Sequence, residues 1–218
     1  MFYTLVLFCR AGCSWDVLDQ LIEGSPVSGR TVRRRLRLWR RAGVLEEVAD
    51  DLMEGLPTPE VGFVDATFVR SRGGGTDAVG LTRHGKGSKL QVIVDCESRP
   101  IAFHVASANP AESRLLYDLL AILGVKIPPV LVGDKAYDVD DLRRALRDDS
   151  ATLVAPHRKN RKRPAVDQEL VDDLYRERWR VERSFSWMAG YRRVVTRYER
   201  SLAAYRTWVC LAVSLMLV

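Results

Sequence analysis

Val61-Gly62-Phe63-Val64-Asp65-Ala66-Thr67-Phe68-Val69 is an apolar run interrupted by one charge, Asp65, near its middle. β-Branched and aromatic residues at this density predict a buried strand. A carboxylate inside such a strand loses its hydration, so it needs hydrogen-bond donors, a bound cation or a shifted pKa. Two more acids stand in comparable places. Asp134 closes the run Pro129-Val130-Leu131-Val132-Gly133-Asp134, and Glu182 sits in Arg178-Trp179-Arg180-Val181-Glu182-Arg183.

Working outward from Asp65, residues 61–71, 89–95 and 101–106 read as strands. The second and third are joined by Cys96-Glu97-Ser98-Arg99-Pro100, a connection suited to an antiparallel pair. Residues 112–123 read as a helix carrying Leu115, Leu116, Leu119, Leu120 and Leu123. A strand then leads to Asp134, a helix covers 138–147 and a short strand covers 152–155. A long helix is predicted over 167–189, with Val171, Leu174, Val181, Phe185 and Met188 as its core stripe. Three strands followed by alternating helices and strands predict an α/β fold of ribonuclease-H-like type, a mixed sheet with flanking helices.

The first 55 residues read differently. Residues 2–10 and 15–22 are short helical runs, and a third helix begins after Ser28, a predicted N-cap. It places Val32, Leu36 and Trp39 on one face and Arg33, Arg34, Arg37, Arg40 and Arg41 on the others. This resembles a helix-turn-helix head. Residues 46–60 are acidic and end in Leu56-Pro57-Thr58-Pro59, which reads as a linker. The expected division is a DNA-binding head at 1–55 and a catalytic body at 56–218.

The 218 residues are 47% hydrophobic and carry a formal charge of +6. That charge is unevenly spread: −2 over 1–29, +7 over 30–41, −6 over 42–156 and +7 over 157–206. An acidic centre between two basic blocks suits a polyanion gripped at two places. Cys9, Cys13, Cys96 and Cys210 form no CxxC pair, and His84, His104 and His157 are scattered, so reduced thiols and no zinc site are predicted. The apolar end, 207–218, falls short of a membrane span and reads as a core helix. A non-secreted, cytoplasmic and nucleoid-associated protein is the expectation.

In the predicted topology the first and fourth strands are neighbours, which brings Asp65 and Asp134 together. Two adjacent carboxylates repel, so one protonates or a cation bridges them. Hard oxygen donors select Mg²⁺ or Mn²⁺. Glu182 borders the core stripe of its helix and can lean toward the aspartates, with Tyr175 and Arg178 on a similar side. Each acid also has an ordinary reading: Asp65 satisfied by backbone amides, Asp134 an N-cap of the helix over 138–147, and Glu182 an ion-pair partner of Arg178 four residues earlier.

Four stretches together resemble the DDE transposases of the insertion-sequence-five family. They are Val64-Asp65-Ala66-Thr67-Phe68-Val69, Gly85-Lys86-Gly87-Ser88-Lys89-Leu90, Gly133-Asp134-Lys135-Ala136-Tyr137-Asp138 and Arg178-Trp179-Arg180-Val181-Glu182-Arg183-Ser184-Phe185. Arg197-Tyr198-Glu199-Arg200 adds to the likeness, and the spaced set Tyr175, Arg178, Glu182 is its most specific part. The resemblance implies that Asp65, Asp134 and Glu182 form a catalytic triad holding two Mg²⁺ or Mn²⁺ ions. It implies cleavage of insertion-sequence ends and transfer of the freed 3′-hydroxyl to target DNA, within a dimer or larger assembly. One departure stands out: Ala189 occupies the place where the family signature usually has Lys, and Arg192 and Arg193 are the nearest cations.

On this reading Arg33, Arg34 and Arg37 contact terminal inverted repeats. Lys86, Lys89, Lys135, Arg158, Lys159, Arg161, Lys162 and Arg178 hold phosphates near the ions. Trp179 and Trp187 read first as core residues and second as platforms for extruded bases. A DNA-binding regulator that no longer cuts, and a metal-dependent nuclease without strand transfer, remain as alternatives.

Overall fold

The computed structural model describes residues 1–75, 77–159, 161–162 and 168–218. Four helices come first: α1 (Phe2–Ala11), α2 (Trp15–Leu21), α3 (Gly29–Arg41) and α4 (Val44–Glu54). The Ser14 and Ser28 side chains accept from Val17 N–H and Thr31 N–H, capping α2 and α3 as polar N-cap residues do. Residues 46–54, expected to be linker, are instead helical. Leu45, Ala49 and Met53 recur every fourth residue and are buried, so an apolar stripe outweighs the acidic composition.

The sheet contains β1 (Val61–Ser71), β2 (Gly80–Thr82), β3 (Gly85–Val94), β4 (Pro100–Ser107), β5 (Val130–Val132), β6 (Thr152–Val154) and β7 (Thr196–Arg197). Its main path runs β2-β3-β1-β5-β6, with β4 also on β3 and β7 also on β1. Pairs among β1, β3 and β4 are antiparallel, while β1–β5 and β5–β6 are parallel. This mixed sheet with flanking helices is the ribonuclease-H-like arrangement expected. The short β2 was not anticipated, and β3 begins four residues earlier than the apolar pattern, at Gly85.

Helices α5 (Glu112–Leu123), α6 (Asp140–Asp148), α7 (Gln168–Tyr175), α8 (Trp179–Ala189), α9 (Arg192–Val195) and α10 (Leu202–Leu217) complete the fold. The single long helix predicted over 167–189 is two, because Arg176–Arg178 tighten into a 3-10 turn; Asp167 lies outside the described residues. No helix among the described residues is long and apolar enough to cross a membrane.

Two cores cover the two sheet faces. One unites Phe63, Val92 and Leu90 with Val181 and Met188 of α8, with Tyr205, Trp208 and Val209 of α10, and with Leu5, Phe8, Val32 and Leu36 of the first helices. The other packs Val64 and Ile93 against Leu116, Leu119 and Leu120 of α5 and Leu142 and Leu146 of α6. Helices α5 and α8 therefore flank β1 from opposite sides.

The motif Arg197-Tyr198-Glu199-Arg200 is a structural brace. Arg197 is fully buried and donates to Ser88 Oγ at 2.8 Å, to the Asp77 carbonyl at 2.7 Å and to the Glu199 carbonyl at 3.0 Å. Glu199 accepts from Arg193 at 2.7 Å and from the Trp208 indole at 2.8 Å, and Arg193 also donates to the Cys13 carbonyl at 2.5 Å. The α1–α2 turn, α9 and α10 are thereby joined through one buried ion pair.

Candidate active site

Asp65 stands mid-β1, opposite Val92 of β3. The parallel register Val61↔Val130, Gly62↔Leu131, Phe63↔Val132 ends two residues before Asp65 on one chain segment and two before Asp134 on the other. Beyond Val132 the chain leaves the sheet, and Asp134 caps a 3-10 turn over Lys135–Tyr137 by accepting from Ala136 N–H at 2.7 Å. Gly133 makes this turn possible, since a Cβ there would meet the Tyr137 ring at 2.8 Å.

The two oxygens of Asp65 have different partners. Oδ1 accepts from Ala66 N–H at 2.8 Å, and Oδ2 accepts from Arg178 Nη1 at 2.8 Å. The same guanidinium donates from Nη2 to Glu182 Oε1 at 2.8 Å, and it lies 5.7 Å from the Tyr175 ring. The 3-10 turn before α8 aims Arg178 at β1, and Glu182, one helical turn later, meets it from the first turn of α8. Tyr175, Arg178 and Glu182 thus share one side, as their spacing suggested. Two of the ordinary readings describe contacts that are present, a backbone amide on Asp65 and an ion pair for Glu182; Asp134 does cap, but it caps the 3-10 turn and not the following helix α6, whose N-cap is Val139.

The electrostatics of these groups are not ordinary. Burial pushes the Asp65 carboxyl above the usual carboxylate range; Ala66 N–H and Arg178 oppose this, and Asp134 adds to it. Burial works against the charge on Arg178, yet Asp65 and Glu182 hold its pKa above the ordinary guanidinium value. Among the described residues no three His, Cys, Asp or Glu side chains are gathered to hold a metal ion. The donor chemistry still fits a hard cation, because Asp65, Asp134 and Glu182 offer only carboxylate oxygens. A cation already bridges two of them, and it is the guanidinium of Arg178.

A fourth carboxylate was missed. Glu112, the first residue of α5, lies on the other side of β1, and its pKa is raised by burial and further by Asp65 and Asp134, with Lys89 opposing. Lys89 Nζ sits 3.7 Å from Glu112 Oε1 and donates to the Pro110 carbonyl at 2.7 Å. Gln91, fully buried on β3 opposite Ala66, donates to the Glu112 carbonyl at 3.0 Å and to Tyr137 Oη at 2.9 Å. A Gln inside the apolar stretch of β3 was the available signal.

Of the other predicted contacts, Arg33, Arg34, Arg37, Lys86, Lys135, Lys159 and Lys162 are exposed. Arg33 and Arg37 also line a cavity of about 220 Å³ with Trp15 and Trp208. The Arg158 side chain is committed to the turn after Asp134, donating to the carbonyls of Lys135 at 3.0 Å and Ala136 at 2.6 Å. Arg161 pairs with Asp138 at 2.7 Å and also with Asp140. Trp179 and Trp187 are not core residues. Each is 43% exposed, and the Arg183 guanidinium lies 4.6 Å from the first ring and 5.2 Å from the second. Ala189 lines a cavity of about 160 Å³ with Phe185, Met188 and Val194.

Comparison with known proteins places this geometry in a wider group. The family model described as Transposase DDE domain matches residues 56–217. The chain is 31% identical over 123 residues to the transposase named for insertion sequence element IS402 of Burkholderia cepacia, covering 52% of this chain and 54% of that protein. It is 29% identical over 133 residues to the one named for element IS6501 of Brucella ovis, covering 59% and 96%. The match thus spans about half the length of the first of these relatives and nearly all of the second. Among solved structures, the piggyBac transposase in a synaptic complex with hairpin DNA superposes with a TM-score of 0.68 at 10% identity, covering 99% of this chain and 63% of that one. At that identity the likeness is one of fold.

Proposed function

The chain belongs to the transposase DDE domain family, and we propose that it is a DNA transposase that cleaves insertion-sequence ends and joins the freed 3′-hydroxyl to target DNA. Asp65, Asp134 and Glu182 are the residues assigned to hold two divalent ions, Mg²⁺ or Mn²⁺. When bound, such ions lower the pKa of the attacking hydroxyl and stabilise the leaving oxygen of an in-line displacement.

The observation that carries this reading is the pairing of β1, which bears Asp65, with β5, whose end leads into the turn that Asp134 caps, together with the tether of Glu182 to Asp65 through Arg178. The fold supplies rigidity: β1 fixes the first carboxylate, the cap on the 3-10 turn fixes the second, and only the third rides on a helix preceded by a short turn. In this reading Arg178 has two partners in succession. It neutralises Asp65 and Glu182 before ions arrive, and afterwards its guanidinium is released toward a phosphate, for which its planar fork is suited.

DNA is the proposed partner, as terminal repeats and as target. Lys86, Lys89, Lys135 and Lys159 contact phosphates near the carboxylates, and Arg33, Arg34 and Arg37 contact the repeat. The head at 1–55 and the body at 56–218 act as the DNA-binding and catalytic parts of one synaptic dimer or larger assembly, in the cytoplasm at the nucleoid. The test is incubation of the protein with labelled terminal-repeat DNA, a target plasmid and Mg²⁺ or Mn²⁺. Joined product supports transposition; nicking without joining indicates a nuclease; binding without nicking indicates a regulator.

A further inference from the structure

We propose that Glu112 is a fourth oxygen ligand of the cation site, reaching Asp65 and Asp134 from the face of the sheet opposite Glu182. This rests on the active-site reading above and extends it to a residue outside the triad.

The geometry begins with Gln91. Its backbone pairs with Ala66, the residue after Asp65, and its side-chain amide donates both to the Glu112 carbonyl and to the Tyr137 hydroxyl. Tyr137 ends the 3-10 turn that Asp134 caps. One buried amide thus ties the start of α5 to β1 and to the Asp134 turn. Glu112 is held at the same junction as the two aspartates, although α5 lies across the sheet from α8.

Two features at that junction point to a ligand. Among the described residues Gln91 Oε1 is buried and has no hydrogen-bond partner, in a residue that is fully enclosed. A buried carbonyl oxygen of this kind ordinarily has a donor, which the water carried by a hydrated Mg²⁺ or Mn²⁺ would provide. The Glu112 carboxylate, for its part, is held loosely. Its ion pair with Lys89 spans 3.7 Å, beyond hydrogen-bond length, while Lys89 makes its short bond of 2.7 Å to the Pro110 carbonyl. A carboxylate in so loose a pair can rotate toward a divalent ion at little cost. Glu182, by contrast, must first give up a 2.8 Å bond to Arg178.

The experiment is a titration of the full chain with Mn²⁺ alone, following free Mn²⁺ by electron paramagnetic resonance, for wild type, Glu112→Gln, Glu112→Asp and Asp65→Asn. Circular dichroism confirms folding of each. Loss of outer-shell partners alone typically costs 10–100-fold in metal affinity, so Glu112→Gln is expected to weaken Mn²⁺ binding by at least about tenfold. Glu112→Asp, which keeps a carboxylate on a shorter arm, is expected to fall between Glu112→Gln and wild type. It gives the same reading if the Gln variant does not fold. Asp65→Asn is expected to lose Mn²⁺ binding. If Asp65→Asn weakens binding while both Glu112 variants match wild type, Glu112 is no ligand and the triad stands. If Asp65→Asn binds Mn²⁺ as wild type does, the active-site reading itself falls.

Discussion

Arg178 Nη1 lies 2.8 Å from Asp65 Oδ2, a contact between residues 113 apart in sequence, and each side chain is only 18% exposed. The guanidinium occupies the gap that a divalent ion needs if Asp65 and Glu182 are to share one. On the proposed reading, arginine and metal therefore compete.

Replacing Arg178 by Gln removes the competitor and also strands a partly buried carboxylate. Without metal, the variant is expected to lose about 1–3 kcal/mol, the usual cost of an unsatisfied buried polar group. In a chain of this length that lowers Tm by roughly 2–4 °C per kcal/mol. With saturating Mn²⁺ the variant should gain more in Tm than wild type gains. Thermal melts with and without Mn²⁺ read both effects, and an equal gain in the two proteins would remove the competition.

The raised pKa of Asp65 carries a sign. Burial is its main cause, so the folded protein keeps a proton that the unfolded chain releases nearer the ordinary aspartate value of about 3.9. Stability from this group is full below that value and is lost as pH rises through the raised one. In metal-free buffer Asp65→Asn is therefore expected to melt higher than wild type at neutral pH, with the difference shrinking as pH falls toward the aspartate range. Melts across that range check it, and a gap that widens on acidification would contradict it.

The buried pair Arg193–Glu199, with side chains 8% and 10% exposed, predicts a stability effect unrelated to the site. Removing one partner of such a pair costs about 3–5 kcal/mol. Glu199→Ala also leaves the Trp208 indole without its acceptor. A Tm loss of roughly 10 °C is expected. Glu199→Gln, which keeps an acceptor for Trp208, should lose less.

The cations near the carboxylates separate by how they are engaged. Lys135 is exposed, whereas Arg158 donates to the carbonyls of Lys135 and Ala136. Lys135→Gln is expected to reduce the salt slope of DNA binding by about one, as loss of one phosphate contact does. Arg158→Gln should leave that slope nearly unchanged and lower Tm. Binding isotherms at several salt concentrations distinguish the two.

The contrast between Asp65 and Glu112 shows what the sequence makes legible. Asp65 is visible because it breaks a continuous strand pattern, and Asp134 and Glu182 follow from strand order and helical spacing. Helix α5 was equally clear in its leucines, matching residues 112–123, yet its first residue gave no sign of its neighbours. Proximity to β1 and to the Asp134 turn arises from tertiary contacts through Gln91. The acidic surface of α4 hid the wide spacing of Leu45, Ala49 and Met53, and the prolines just beyond made a linker the simpler reading. Likewise the 3-10 turn at Arg176–Arg178 breaks no hydrophobic rule. It changes only where Arg178 points, and its bond to Asp65 depends on that.

Strand cleavage of labelled terminal-repeat DNA in Mn²⁺ by wild type, Asp65→Asn, Asp134→Asn and Glu182→Gln, with DNA affinity measured in parallel, asks most directly whether these three carboxylates form one cation centre. Cleavage should fall at least about a thousandfold in each variant, a loss of roughly 4 kcal/mol of transition-state stabilisation, while affinity for the DNA stays near that of wild type. Normal cleavage by any one of the three would remove that residue from the centre and break the triad.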